Sequence, residues 1–168
     1  MKRILAISDF DTGSYYGLCP AVVDLPEGGQ YRANKGQLYL LSKWQNLIDF
    51  VPKIDILLLV GDFIAGKQFR QEATETFLAN PEEQAKAFIE LIDPLLRKAK
   101  KTFAVKGTEY HDQKAGQAAE RIAKDIGAEK WPDGKYSGWW LNLDVDGVFF
   151  DVAHHQSVPV VYRGTPLE

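Results

Sequence analysis

Short apolar runs alternate along this chain with longer amphipathic stretches, and each apolar run stops abruptly in polar residues. The runs are Ile4-Leu5-Ala6-Ile7, Ile54-Asp55-Ile56-Leu57-Leu58-Leu59-Val60, Thr102-Phe103-Ala104-Val105 and Val148-Phe149-Phe150-Asp151-Val152-Ala153. Runs of this length read as strands, the first as one buried on both faces. Between them, Leu40, Leu41, Trp44, Leu47 and Ile48 recur at helical spacing and predict a helix over 37–50, closed by Pro52. Asn80-Pro81-Glu82-Glu83 is a helix start, with a capping Asn, Pro at the first position and acid in the first turn. Phe88, Ile89, Ile92 and Leu96 carry that helix into Arg97-Lys98-Ala99-Lys100-Lys101, whose cations suit the negative end of a helix dipole. Pro94 predicts a kink or an early break. Another helix is expected over 115–126, ended by Gly127. Segments 137–143 and 148–153 flank Asp146-Gly147, a hairpin signal. Residues 12–36, rich in Gly, Tyr and Pro, read as a long loop covering a site. Strands alternating with helices and followed by a hairpin predict an α/β fold, with a mixed sheet or two stacked sheets between helices.

The polar residues that end the strands carry the chemistry. Asp9 and Asp11 close the first run two residues apart, and on an extended backbone both would point the same way. Like charges so close repel unless a cation or a shared proton lies between them. A lone Asp-x-Asp would be read as a cap beside a solvated acid. Here the design recurs: the second run ends in Gly61-Asp62, the third in Gly107-Thr108-Glu109-Tyr110-His111, the fourth in His154-His155. The three histidines of the chain all lie at strand ends, which favours metal binding over a structural role.

Composition narrows the classes. With 168 residues and 45% hydrophobic content, a single domain over 1–168 is expected. The formal charge of −3 offers no basic field, so nucleic-acid binding is not indicated by charge. Cys19 is the only cysteine, which excludes an intramolecular disulfide and suits a reducing, cytoplasmic setting. No membrane span is expected, and the apolar run after Lys2 and Arg3 is too short for a signal peptide. Gly61-Asp62-Phe63-Ile64-Ala65-Gly66-Lys67-Gln68 nearly matches a phosphate-cradling loop. Gln68 stands where that loop needs a hydroxyl, and Asp62 would repel the phosphates. No Gly-x-Ser-x-Gly occurs, which argues against a serine hydrolase.

The order of Ser8-Asp9-Phe10-Asp11, Val60-Gly61-Asp62, Lys106-Gly107-Thr108-Glu109 and Ala153-His154-His155, each after a strand, resembles the calcineurin-like metallophosphoesterases over essentially the whole chain. The resemblance implies two stacked mixed β-sheets flanked by helices, with a two-metal site across the strand ends. It implies that Asp9 binds the first metal, with Asp11 where the family usually has a His ligand. Asp62 would bridge both metals, and His154, or His155 in its place, would bind the second. Thr108, a weak neutral ligand, stands where an Asn ligand is usual. Glu109 stands where a catalytic His is usual, and either Glu109 or His111 would be the acid. Two divalent metal ions are implied, manganese first for the oxygen-rich set, with magnesium, iron(II) or zinc as the other candidates. The implied activity is hydrolysis of a phosphate ester, by a phosphodiesterase, phosphatase or nuclease, on a small phosphorylated substrate or nucleotide. Tyr15, Tyr16 and Tyr31 would stack on a base or, the first choice, pack the loop down. The family's closing Gly-His-x-His is missing, because residues 156–168 hold no histidine. The chain is therefore expected to be short at its C-terminus, by truncation or by nature. The alternative expectation is a catalytically impaired binding domain with Trp131, Trp139 and Trp140 as its interaction surface.

Overall fold

The computed structural model describes residues 2–67, 74–112 and 116–155. In chain order the elements are β1 (Ile4–Ile7), β2 (Val22–Asp24), β3 (Gln30–Arg32), α1 (Lys35–Phe50), β4 (Ile54–Val60), α2 (Pro81–Leu96), β5 (Ala99–Val105), α3 (Glu109–Asp112), α4 (Gln117–Asp125), β6 (Ser137–Gly138), β7 (Leu141–Val145) and β8 (Val148–Val152). Strands β1, β4, β5 and β6 form a parallel sheet in the order β1-β4-β5-β6, and β2-β3 and β7-β8 are small antiparallel ribbons. The fold is thus α/β. Among the described residues, no helix is long and apolar enough to cross a membrane.

Side-chain alternation along β4 divides the apolar interior in two. Leu57 and Leu59 pack with Trp44 and Ile48 of α1, Phe88, Ile92 and Leu95 of α2, and Ile122 of α4. Ile56 and Leu58 face the other way and pack with Val105, Leu141 and Val145, so the β7-β8 ribbon covers the second face. Asp146 and Gly147 both take positive φ, 54° and 84°, at the expected hairpin turn.

Four expectations are corrected. β1 is half-buried rather than buried on both faces, because it lies at the sheet edge with β4 as its one partner among the described strands. The basic run does not finish α2. That helix ends at Leu96, two residues past Pro94, whose missing N–H leaves the Glu90 carbonyl without its helical donor, and β5 begins at Ala99. Lys98 then serves a different helix: its ammonium donates to the Ile48 and Val51 carbonyls (2.8 Å to the latter) at the end of α1. Lys100 pairs with Asp55 at 2.7 Å. Residues 137–138, expected in the hairpin, instead extend the parallel sheet beside β5. The stretch 12–36 is not a plain loop, since it contains the β2-β3 ribbon.

Two buried glutamines fasten that stretch. Gln37 completes a capping box with Asn34 at the start of α1, and its amide also donates to the Ser14 carbonyl at 3.0 Å. Gln84, fully buried on α2, accepts from the Gly66 N–H at 2.9 Å and donates to the Gly66 and Leu78 carbonyls at 3.0 and 2.6 Å. The Gly13 carbonyl in turn accepts from the N–H groups of Phe77 and Leu78. The loops after β1 and β4 are thereby held together from below.

Gln84→Met keeps the volume and strips three hydrogen bonds from buried backbone, so it should lower stability by about 3 kcal/mol. Urea unfolding measures this, and a loss under about 0.5 kcal/mol would show that the clip is dispensable.

Candidate metal centre

Strands β1 and β4 stay paired past their ends. The N–H groups of Phe10 and Asp11 both donate to the Asp62 carbonyl, at 2.9 and 3.2 Å. The backbone there is not extended. Asp9, Asp11 and Asp62 have φ of 57°, 46° and 50°, a left-handed conformation that costs a non-glycine residue of order 1–3 kcal/mol. The expectation that Asp9 and Asp11 project side by side from an extended strand is therefore corrected: left-handed turns aim each carboxylate separately. Asp146 in the hairpin turn is the other described non-glycine residue in this region. Close approach decides two neighbouring glycines. A Cβ at Gly61 would lie 2.5 Å from the His154 ring, and one at Gly107 would lie 2.2 Å from Asp62 Oδ1.

The result is two ligand groups that share one carboxylate. Asp9, Asp62 and His154 offer atoms within 4.8 Å of one another, and so do Asp11, Asp62 and His111. His154 Nε2 lies 2.9 Å from Asp62 Oδ2 and 4.0 Å from Asp9 Oδ1. His111 Nε2 lies 3.9 Å from Asp62 Oδ2, and its Nδ1 lies 3.4 Å from Asp11 Oδ1. Atoms bound to one cation at about 2.1 Å stand roughly 3–4 Å apart, so the Nε2 spacings of His154 and His111 suit coordination. Both imidazoles turn Nδ1 to a backbone carbonyl, Val60 O at 2.7 Å for His154 and Ala65 O at 3.1 Å for His111. A carbonyl only accepts, so Nδ1 carries the proton and Nε2 keeps its lone pair for a cation. Asp11 Oδ1 is buried without a hydrogen-bond partner, an orphan that a cation would satisfy. The donor set fits divalent metal.

Charge crowding shows in the titrating groups. Burial pushes the Asp11 carboxyl up; His111 opposes this, Asp62 and Asp9 add to it, and the net value is raised. Burial alone would lower His154, but the Val60 carbonyl and the Asp62 and Asp9 carboxylates together hold it above the ordinary histidine value. Burial also raises Asp112, to about 6, against the backbone hydrogen bond it accepts from Gly107.

Of the remaining residues singled out in the sequence, Thr108 holds Asp62 in place, its N–H donating at 2.7 Å and its hydroxyl lying at 3.1 Å. Glu109 begins α3, is exposed, and stands outside both ligand groups. His111, read from sequence as an alternative acid, lies inside the second group. His155 is exposed beside His154. Tyr31 stacks on Phe77 at 3.8 Å and meets Tyr15 edge-on, so these two pack the loop. Residues 68–73, including the last position of the phosphate-loop-like segment, and 156–168, where the closing family motif is missing, lie outside the described residues.

Sequence reading missed the supports. Asp112 accepts from the Gly107 and Ala119 N–H groups at 2.6 and 3.0 Å and so ties the β5 loop to α4. Ser8 donates to the Asp9 carboxylate. Asp112, one residue past His111, was the detectable signal: a further acid in a segment already rich in candidate ligands. No protein-family model matches the chain, and comparisons with curated proteins and with solved structures give no match.

Cation binding must displace the protons that the metal-free centre holds on Asp11 and His154. Because both values are raised, binding is weakest at low pH and strengthens as pH rises through the carboxyl range and then past about 6.5, the ordinary histidine value. Near pH 6, manganese binding should release protons. Calorimetry in two buffers of different ionisation enthalpy reads this directly, and identical heats would contradict it.

Proposed function

We propose that the protein is a metallophosphoesterase of the calcineurin-like type, hydrolysing a small phosphate ester at a site for two divalent cations. The observation that carries this reading is the pair of ligand groups sharing Asp62. Asp9, Asp62 and His154 would hold one cation, and Asp11, Asp62 and His111 the other. Carboxylate oxygens dominate the set, which favours manganese or magnesium over softer-site metals. The architecture that accompanies the reading is two stacked sheets flanked by helices, the β7-β8 ribbon belonging to the second sheet. Its support is the packing of Leu141 and Val145 on the β4-β5 face opposite the helices. A cytoplasmic location belongs to the same reading, supported by the lone, buried Cys19.

When bound, the two cations supply Lewis acidity at the phosphoryl group and a water acidified for attack at neutral pH. The chain's own groups do the positioning. Thr108 fixes Asp62 between the two ligand groups, and the Val60 and Ala65 carbonyls set the imidazole tautomers. Of the two residues read from sequence as the acid, His111 is taken up by the Ala65 carbonyl and by Asp62, so the role passes in this reading to Glu109 on the wall of the neighbouring cleft. Phe10, which links Asp9 to Asp11, anchors both by packing edge-on against Trp44 and Phe88 in the core.

Manganese-loaded protein should hydrolyse bis(p-nitrophenyl) phosphate or p-nitrophenyl phosphate. Asp62→Asn should lose manganese binding and at least about a hundredfold in rate together, while circular dichroism stays unchanged. Turnover that survives this substitution, or that needs no metal, would rule the reading out.

A further inference from the structure

Beside the metal centre lies an open cleft of about 410 Å³, lined by Lys106, Thr108, Glu109, Trp139, Trp140 and His155. Trp139 and Trp140 occupy the short link between β6 and β7 and remain 47% and 46% exposed. The two rings line one cleft together, and an apolar concavity with a few convergent polar groups is the usual form of a ligand site. Their backbone is well anchored. The Lys106 N–H donates to the Gly138 carbonyl at 2.9 Å, and the Trp131 ring packs against Gly138 so closely that a Cβ there would lie 2.3 Å away. The link is thus a fixed platform. Lys106, itself buried, places its ammonium 5.3 Å from the Trp139 ring and brings positive charge to the wall of the cleft.

The cleft shares Thr108 with the surroundings of the centre, where the Thr108 N–H and hydroxyl hold Asp62. A phosphoryl group held at Asp62 is thus separated by one residue, Thr108, from the cleft that the two tryptophans line. We infer that the Trp139–Trp140 cleft seats a planar aromatic ring of the substrate, so that the favoured phosphate esters are nucleotides, with the base stacked on tryptophan. This rests on the phosphoesterase reading above. A second groove of about 370 Å³ borders the centre beside β1, with Tyr16, Leu40 and Leu47 in its walls. Asp9, Asp11 and Lys43 also line it, but its other rings, Phe10 and Trp44, are buried in the core, so Tyr16 is the one exposed ring it offers, against two in the tryptophan cleft.

The test uses the phosphonate analogues of AMP and of ribose 5-phosphate, whose C–P bonds do not hydrolyse, titrated calorimetrically into manganese-loaded protein. Manganese binding is measured first on each variant. The adenosine analogue should bind roughly tenfold tighter than the ribose analogue. The double variant Trp139→Ala, Trp140→Ala should erase that preference while keeping manganese and ribose-analogue binding, and Phe at both positions should restore most of it. Tyr16→Ala should leave the preference intact. Equal affinities for the two analogues, a preference that survives the double substitution, or one lost on Tyr16→Ala would each overturn the inference with the metal centre standing. Absence of manganese binding in the unsubstituted protein would overturn the phosphoesterase reading and this inference together.

Discussion

Asp9 and Asp11, each held within ligand distance of Asp62 and each accompanied by one imidazole, are the constraint on which the rest of this structure turns. Two unit charges 4 Å apart repel by about 4 kcal/mol at the effective dielectric of a protein surface. Asp9, Asp11 and Asp62 pay a further conformational cost in their left-handed backbones. Nothing local to those residues favours such a gathering. It is maintained by parallel pairing of β1 with β4, by Phe10 buried between Trp44 and Phe88, and by Gln84 and Asp112 clamping the neighbouring loops. The core opposes the strain, and bound cations would remove the repulsion.

The same logic explains the neutral residues around the centre. Gly61 and Gly107 are small because His154 and Asp62 lie against their backbones. Thr108 lacks the charge of a strong ligand but brings two donors to the central carboxylate. In the proposed reading, it sets the position of the shared ligand, and the cleft it lines leads outward to Trp139 and Trp140. Catalytic centre and recognition surface would then be joined through one short segment after β5.

Much of this was legible in the sequence, for identifiable reasons. The β4 strand and the Asp146-Gly147 turn are written in local pattern, as is the Asn80-Pro81 helix start. Metal-competent residues at successive strand ends drew attention to Asp9, Asp11, Asp62, His111 and His154, all of which the fold brings together. Their division was not legible. Reading Asp9 and Asp11 as neighbours on an extended strand follows from side-chain alternation, which fails once both residues turn left-handed. The roles of Gln84 and Asp112 depend on contacts across long loops, which no local pattern reveals. Lys98 shows the same limit: its charge looked like the end of its own helix, yet its hydrogen bonds close α1.

The claim to test most directly is that Asp62 is shared by two cations. Metal-stripped protein titrated with manganese and followed by electron paramagnetic resonance separates the alternatives. The account predicts uptake of about two equivalents and, at the second, an exchange-coupled signal from a pair bridged at short range, of the kind set by two-metal sites with ions about 3.5–4 Å apart. Saturation at one equivalent, or two uncoupled ions, would contradict it.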